Sequence, residues 1–397
     1  MKKYMRQVNR RNTNCYKWDS VEDNRDLIPL WIADMDFQAP KEIVEAVVKR
    51  AKHPAYGYVK VPEDYYFAVC NWFNEVHGWK FLKSDVIYTT GVIPALSAVI
   101  KAVTSPGDSV LIFTPVYNHF YTSIANNGCN VLSCPLKRDE NFTYHIDFDD
   151  FRAKIKDASA VLLCNPHNPV SRVFTEEELS EIAKICEENK TFVISDEIHC
   201  EIVMEGFKYV PFGTVADKFN LKYAVCNSPS KTFNMASLQI ANIICKDKKY
   251  REKIDRAINV NECCDVNPFG VEALITGYTS EGCKFYIKNL NEVVFDNFRF
   301  AKSLLERDLP EVKITPLEGT YLMWIDCSAL GKKSKEIETE LLKYYNVWIS
   351  AGTLYGEEGE GFMRINLACP IQTLAEGIDR FIAYYKEFSA KKAKKKR

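Results

Sequence analysis

The sequence predicts an α/β protein, with a mainly parallel sheet in a large domain and a smaller α+β domain beside it. Three observations carry that expectation. From about residue 86 to residue 245, apolar runs alternate with amphipathic stretches, the order that builds a parallel sheet flanked by helices. Those runs are apolar almost throughout, as suits strands covered on both faces. The chain has 397 residues, enough for two or three domains at roughly 100–200 residues each.

The elements follow in order. Residues 41–52 set Ile43, Val44, Val47, Val48 and Ala51 on one helical face. Strands are expected at Val86–Thr89, Ser109–Phe113, Ala160–Cys164, Phe192–Ser195, Tyr223–Cys226 and Ile240–Cys245. Thr175–Asn189 reads as a helix opened by a capping box, Thr175 with Glu178 three residues on. A helix-rich region then leads to strand-like runs at Gly319–Asp326, Val347–Ser350 and Phe362–Leu367. Composition shifts near 285–300, where a long helix would link two domains. The large domain is expected over 50–290 and the small one over 1–49 with 291–390. Residues 391–397 form a basic tail expected to be disordered.

Composition narrows the function classes. Lysine plus arginine number 52 against 53 acidic residues, so no general positive field attracts nucleic acid. Six of the basic residues lie in 391–397, which leaves 46 against 53, a net −7, for the rest. No run approaches the ~18 apolar residues of a membrane span, and the N-terminus lacks the apolar core of a secretory signal. Many of the 14 cysteines sit inside apolar runs, as in AVLLC, YAVC and ANIIC, and none forms a C-x-x-C pair. The adjacent Cys263 and Cys264 have no histidine nearby. The cysteines read as small buried hydrophobes of a cytoplasmic protein, without a metal site.

The polar clusters fall just after the strand candidates: TTG at Thr89–Gly91, TPVY at Thr114–Tyr117, NPHNP at Asn165–Pro169, SDE at Ser195–Glu197 and SPSK at Ser228–Lys231. In a parallel sheet the carboxyl ends of the strands form the ligand crevice, so five loops are expected to converge on one site. In TTGVIPAL a strand passes through Gly91 into a helix with Pro94 in its first turn, a terminus suited to a phosphate or simply a strand-to-helix turn. Neither a P-loop nor a G-x-G-x-x-G follows the first strand, which points away from ATP and NAD. Neither H-E-x-x-H nor G-x-S-x-G occurs.

Asp196 ends the apolar run FVIS, where a carboxylate needs a cationic or hydrogen-bonding partner. A structural ion pair would satisfy it, and so would a protonated ring nitrogen of a cofactor. Lys231 follows another strand after Ser228, Pro229 and Ser230. A lysine at one strand end and an aspartate at another is the arrangement pyridoxal phosphate requires, one as Schiff-base amine and one as pyridinium partner.

At these residues the sequence resembles the pyridoxal-phosphate enzymes of fold type I, the aspartate-aminotransferase fold, and within them the bacterial cystathionine β-lyase or carbon–sulfur lyase branch. The resemblance runs from about Trp31 to Pro370 and rests on WIADMDF, YGY, NPHNPVSRVF, SDEIH, SPSKTFNMASL and FMRINLACP. It implies that Lys231 holds the cofactor and then serves as the catalytic base, with Tyr117 stacked on the ring and available for proton transfer. Asp196 would pair with the ring nitrogen, and Asn168 and His199 with the 3′-oxygen. The backbone of Val92 and Ile93 and the hydroxyls of Ser228 and Ser230 would hold the phosphate. Tyr58 would reach the neighbouring subunit's phosphate, which implies a homodimer with shared sites. Arg364 would grip the substrate α-carboxylate by a two-pronged hydrogen bond, beneath a segment containing Ala33.

Three positions depart from the pattern. Gln239 stands where many aminotransferases of this fold carry a phosphate-binding arginine, and Ser171 and Ser237 stand where glycine is usual. The implied activity is β-elimination from L-cystathionine or a related cysteine S-conjugate, giving a thiol, pyruvate and ammonia. Transamination of an amino acid with a 2-oxo acid is the alternative. A DNA-binding regulator built on this fold is not expected, because WIADMDF begins at residue 31. The basic tail is read as a solvated end with no nucleic-acid or membrane partner.

Overall fold

A computed structural model describes residues 5–21, 26–260, 262 and 265–395, with side chains to residue 389. Cys263 and Cys264 lie outside the described residues. The main sheet has seven strands. From one edge they are Val86–Thr89, Ala241–Ile244, Tyr223–Asn227, Phe192–Asp196, Ala160–Cys164, Ser109–Thr114 and Asn130–Pro135. All neighbours are parallel except Ala241–Ile244, which runs antiparallel to both of its partners. The central strands are buried residue by residue, which explains their unbroken apolar runs. Asn130–Pro135 was not among the expected strands: it is a half-exposed edge, and NVLSCP has neither alternation nor an apolar run.

The second sheet orders Lys313–Ile314, Leu322–Asp326, Phe362–Asn366 and Ser350–Ala351, all antiparallel. The strand-like run 347–350 is split in two. Val347–Trp348 pairs instead with Ile28–Pro29, which ties the N-terminal segment to the C-terminal third. The capping box at Thr175 forms as expected: its hydroxyl accepts from the Glu178 N–H at 3.2 Å, and the Glu178 carboxylate accepts from the Thr175 N–H at 2.8 Å.

Two features complicate the expected division into 50–290 and the rest. The helix Lys41–Ala51 packs on the helix Pro268–Thr279, and the helix Glu281–Asp308 runs unbroken through residue 290. Of the apolar face expected in the first helix, Ile43 is buried, whereas Val44 and Val48 are about half exposed. The final helix spans Ile371–Lys395, so residues 391–395 are helical where disorder was expected. Of the 12 described cysteines, 11 are buried and none is disulfide-bonded. No helix among the described residues is long and apolar enough to cross a membrane.

Candidate active site

The strand ends converge on one cavity. Thr90, Gly91, Val92 and Ile93 line it from the first loop, and Tyr117 from the second. Asn168 comes from NPHNP, Asp196, Ile198 and His199 from SDEIH, and Ser230 and Lys231 from SPSK. Ala33 covers it from the N-terminal segment. The helix Val92–Val103 begins at the cavity wall behind Gly91, so its first N–H groups have no partner within the helix and face the site with the positive end of its dipole.

Asp196 is buried, and its carboxylate accepts one described hydrogen bond, from the Ile198 N–H at 3.1 Å. Burial pushes its carboxyl up to about 7, against smaller opposite effects of that bond and of Lys231. It forms no ion pair among the described residues. The Lys231 Nζ donates to the Ala33 carbonyl at 2.7 Å. Burial lowers its pKa; Asp34 and Asp196 oppose that shift, and Arg364 adds to it. Burial first, then the nearby Lys231 and Arg364, hold His199 down to about 3, so its ring is neutral. Its buried Nδ1 has no hydrogen-bond partner among the described residues, and the ring meets Tyr321 edge-on at 5.8 Å. Burial and Asp196 raise the Tyr117 phenol, which keeps it protonated.

Arg364 stands behind Asn168 and does not itself line the cavity. Its Nη1 donates to Asn168 Oδ1 at 2.9 Å and its Nη2 to the Trp31 carbonyl at 2.7 Å. The guanidinium lies 4.7 Å from the centre of the Tyr355 ring, and its buried Nε has no hydrogen-bond partner among the described residues.

Besides Arg364, two more expected residues are not among the cavity lining within one chain. Ser228 is buried in the turn beneath, donating to the Ile240 carbonyl at 2.5 Å and accepting from the Ser230 N–H at 3.1 Å. Its hydroxyl shapes the loop, whereas Ser230 lines the cavity. Tyr58 is 98% exposed. The three departures also find places. Ser171 adopts a left-handed φ of 59°, the reason glycine is usual there, and its hydroxyl donates to the Leu322 carbonyl. Ser237 and Gln239 are exposed and outside the cavity lining. Residues not anticipated include Cys164, Ile198, Ala236 and Ile240 in the wall and Tyr355 under Arg364. Their contributions are apolar or positional; Ile198 and Ala236 lie inside SDEIH and SPSKTFNMASL, whereas nothing in the local sequence marks the others.

Over residues 25–381 the sequence matches the family described as aminotransferase class I and II. The chain belongs to this family. Within the aminotransferase class I and II proteins it is similar to cystathionine β-lyase PatB of Bacillus subtilis (strain 168), at 38% identity over 379 residues, covering 94% of this chain and 97% of that protein. Cystalysin from Treponema denticola, whose structure contains a pyridoxal 5′-phosphate cofactor, matches with a TM-score of 0.92 at 32% identity, covering 97% and 98% of the two chains. The PLP-bound C–S lyase from Staphylococcus hominis matches with a TM-score of 0.88 at 30% identity, covering 96% and 98%. The cavity of this chain fits such a cofactor. Among the described residues it offers a buried carboxylate without an ion-pair partner, an imidazole nitrogen without a hydrogen-bond partner, a helix N-terminus and an amine on one cavity.

Proposed function

We propose that the chain is a pyridoxal 5′-phosphate-dependent carbon–sulfur β-lyase. It acts on L-cystathionine or a related cysteine S-conjugate and yields a thiol, pyruvate and ammonia. The observation that carries this reading is the convergence of Lys231, Asp196 and the helix N-terminus at Val92 on one cavity backed by Arg364, in a chain 38% identical to a cystathionine β-lyase.

Bound pyridoxal phosphate supplies an electron sink for the pair left behind when the substrate Cα proton departs. The chain's own residues supply the rest. Lys231, its pKa lowered by burial, would hold the cofactor covalently and would serve as the general base for the substrate Cα proton. Asp196 has one backbone donor and waits for a cationic N–H, so a protonated ring nitrogen keeps it ionised and is itself kept protonated. Tyr117, which lines the cavity, would stack on the ring, and its protonated phenol can give a proton to the leaving sulfur. The first-turn N–H groups of Val92 and Ile93, with the Ser230 hydroxyl, receive the phosphate. Asn168, whose Oδ1 is occupied by Arg364, has its amide N–H groups left to donate to the 3′-oxygen, with His199 beside it. Arg364 receives the α-carboxylate and Ala33 covers it.

Tyr58 completes the site of a second copy of the chain. Its 98% exposure supports this, as does the half-exposed face of Val44 and Val48 on the helix Lys41–Ala51. The deciding assay supplies L-cystathionine alone to the cofactor-loaded protein. Stoichiometric pyruvate and free thiol are expected; turnover that begins only when a 2-oxo acid is added would replace the lyase reading with aminotransfer.

A further inference from the structure

Residues 30–36 form a strap, bent at Ile32, Ala33 and Asp36, whose carbonyls accept from donors on several elements. The carbonyls of Trp31 and Ala33 face the candidate site, whereas that of Met35 accepts from Arg10 Nη1 at 2.8 Å and Asn234 Nδ2 at 2.9 Å. That of Trp31 accepts from Arg364 Nη2 and Ser350 Oγ, both at 2.7 Å. That of Ala33 accepts from Lys231 Nζ at 2.7 Å and the Tyr321 hydroxyl at 3.2 Å.

The carbonyls of Leu30, Ile32 and Asp34 face away, and one residue collects all three. The backbone N–H of Asn366 donates to Leu30 O at 2.8 Å, and its side-chain Nδ2 forks to Ile32 O at 2.6 Å and Asp34 O at 2.7 Å. Asp34 N–H also returns to Ile32 O at 2.9 Å, a γ-turn with Ala33 at its apex. The Asn366 Oδ1 accepts from the Ala368 N–H at 2.8 Å, so only one orientation of the amide satisfies both ends. Asn366 is completely buried and lies two residues beyond Arg364 on the strand Phe362–Asn366, which places both side chains on one face.

We propose that Asn366 is a positioning residue for the substrate carboxylate: its forked amide clamps the γ-turn that carries Ala33 over Lys231 and Arg364. The inference rests on the reading of Arg364 as the carboxylate grip. Arg364 and Lys231 can leave the strap when substrate and cofactor claim them, while Asn366 makes no contact that either would claim. The apex then keeps its place as the two functional cations change partners. A wall held this way requires no reorganisation at the moment of binding.

The test uses the cofactor-loaded protein and two variants. Asn366→Ala removes the whole amide. Asn366→Asp keeps an acceptor for the Ala368 N–H but loses the forked donor. Binding of L-alanine, which has the carboxylate and no leaving group, is read from the cofactor's absorbance, and KM and kcat from L-cystathionine turnover. Both variants are expected to weaken L-alanine binding and raise KM roughly 10-fold, with kcat within about threefold of wild type. Wild-type binding by Asn366→Asp would overturn the proposal and leave Asn366 as a cap for Ala368 alone. So would a loss of kcat with binding and KM unchanged. If Asn366→Ala fails to fold, Asn366→Asp decides. Arg364→Gln separates the two levels: binding left unweakened there overturns the carboxylate grip itself, whereas weakened binding there with wild-type binding by Asn366→Asp overturns only the clamp.

Discussion

Asp196 and Glu197 are adjacent, equally buried and opposite in surroundings. Asp196 looks into the cavity with one backbone N–H for company. Glu197 looks behind the sheet, where it accepts from Ser195 Oγ at 2.7 Å, from the Phe212 N–H at 2.9 Å and from the Tyr209 hydroxyl. Beside it Glu201 accepts from Trp72 Nε1 at 2.6 Å and bonds His77 Nε2 at 2.8 Å. Burial pushes both Asp196 and Glu197 up to about 7. Depth and pKa therefore do not distinguish a site from a structural hub. The count of donors does: a carboxylate surrounded by partners holds elements together, and one left short of them is waiting for a ligand.

The largest expected effect tests the cavity side. Lys231→Ala should lower turnover by at least about 10⁴-fold and abolish the absorbance band of the lysine-bound cofactor. A variant that kept the band would remove Lys231 from its assigned role. Next, Asp196→Asn should lower turnover by roughly 10²–10³-fold in a protein that unfolds at an unchanged urea midpoint. Glu197→Gln should do the reverse, costing about 1–3 kcal/mol of stability while each folded molecule turns over within about threefold of wild type. The contrast breaks if the two variants exchange phenotypes.

pH sharpens it further. Between about pH 4 and 7 the folded cofactor-free protein retains protons on Asp196 and Glu197 that the unfolded chain has already released. The folded state binds more protons there, so these groups lower its stability as pH rises through that window. Thermal melts of the cofactor-free protein should show this fall, and Glu197→Gln should flatten it. Cofactor binding should flatten it too, by keeping Asp196 ionised. A cofactor-loaded protein with the same slope as the cofactor-free one would contradict the pairing. The smallest effect expected is that of Ser228→Ala. Losing the bond to Ile240 should cost about 1 kcal/mol of stability, and cofactor affinity measured by titration should fall less than in Ser230→Ala.

Much of the site was legible because each strand end carries its own punctuation. Gly91 before a helix, Asp196 after FVIS and Lys231 after SPS each mark a place where an apolar run stops at chemistry. Direction was not legible. Ser228 and Ser230 are the same residue type two positions apart, yet one bonds Ile240 below the loop and the other faces the cavity. The reversed strand Ala241–Ile244 has an apolar run that reads the same either way, and the edge strand Asn130–Pro135 lacks any run at all. Asn366 sits in plain view beside Arg364 in FMRINLACP, but its partners at Ile32 and Asp34 are 334 and 332 positions away.

The sequence by itself determined which chemistries could be present: an amine, a buried carboxylate, a guanidinium and a helix start behind a glycine, ordered along an α/β frame. Such choices are local, made by residue type and by the period of the apolar pattern. Only the tertiary structure decided which of those groups stay short of partners and which are consumed in holding the fold. Satisfaction of a buried polar group depends on donors arriving from elements hundreds of residues apart, as Arg364 reaches Asn168 across 196 positions. That sum exists only once the strap, both sheets and the loops have come together.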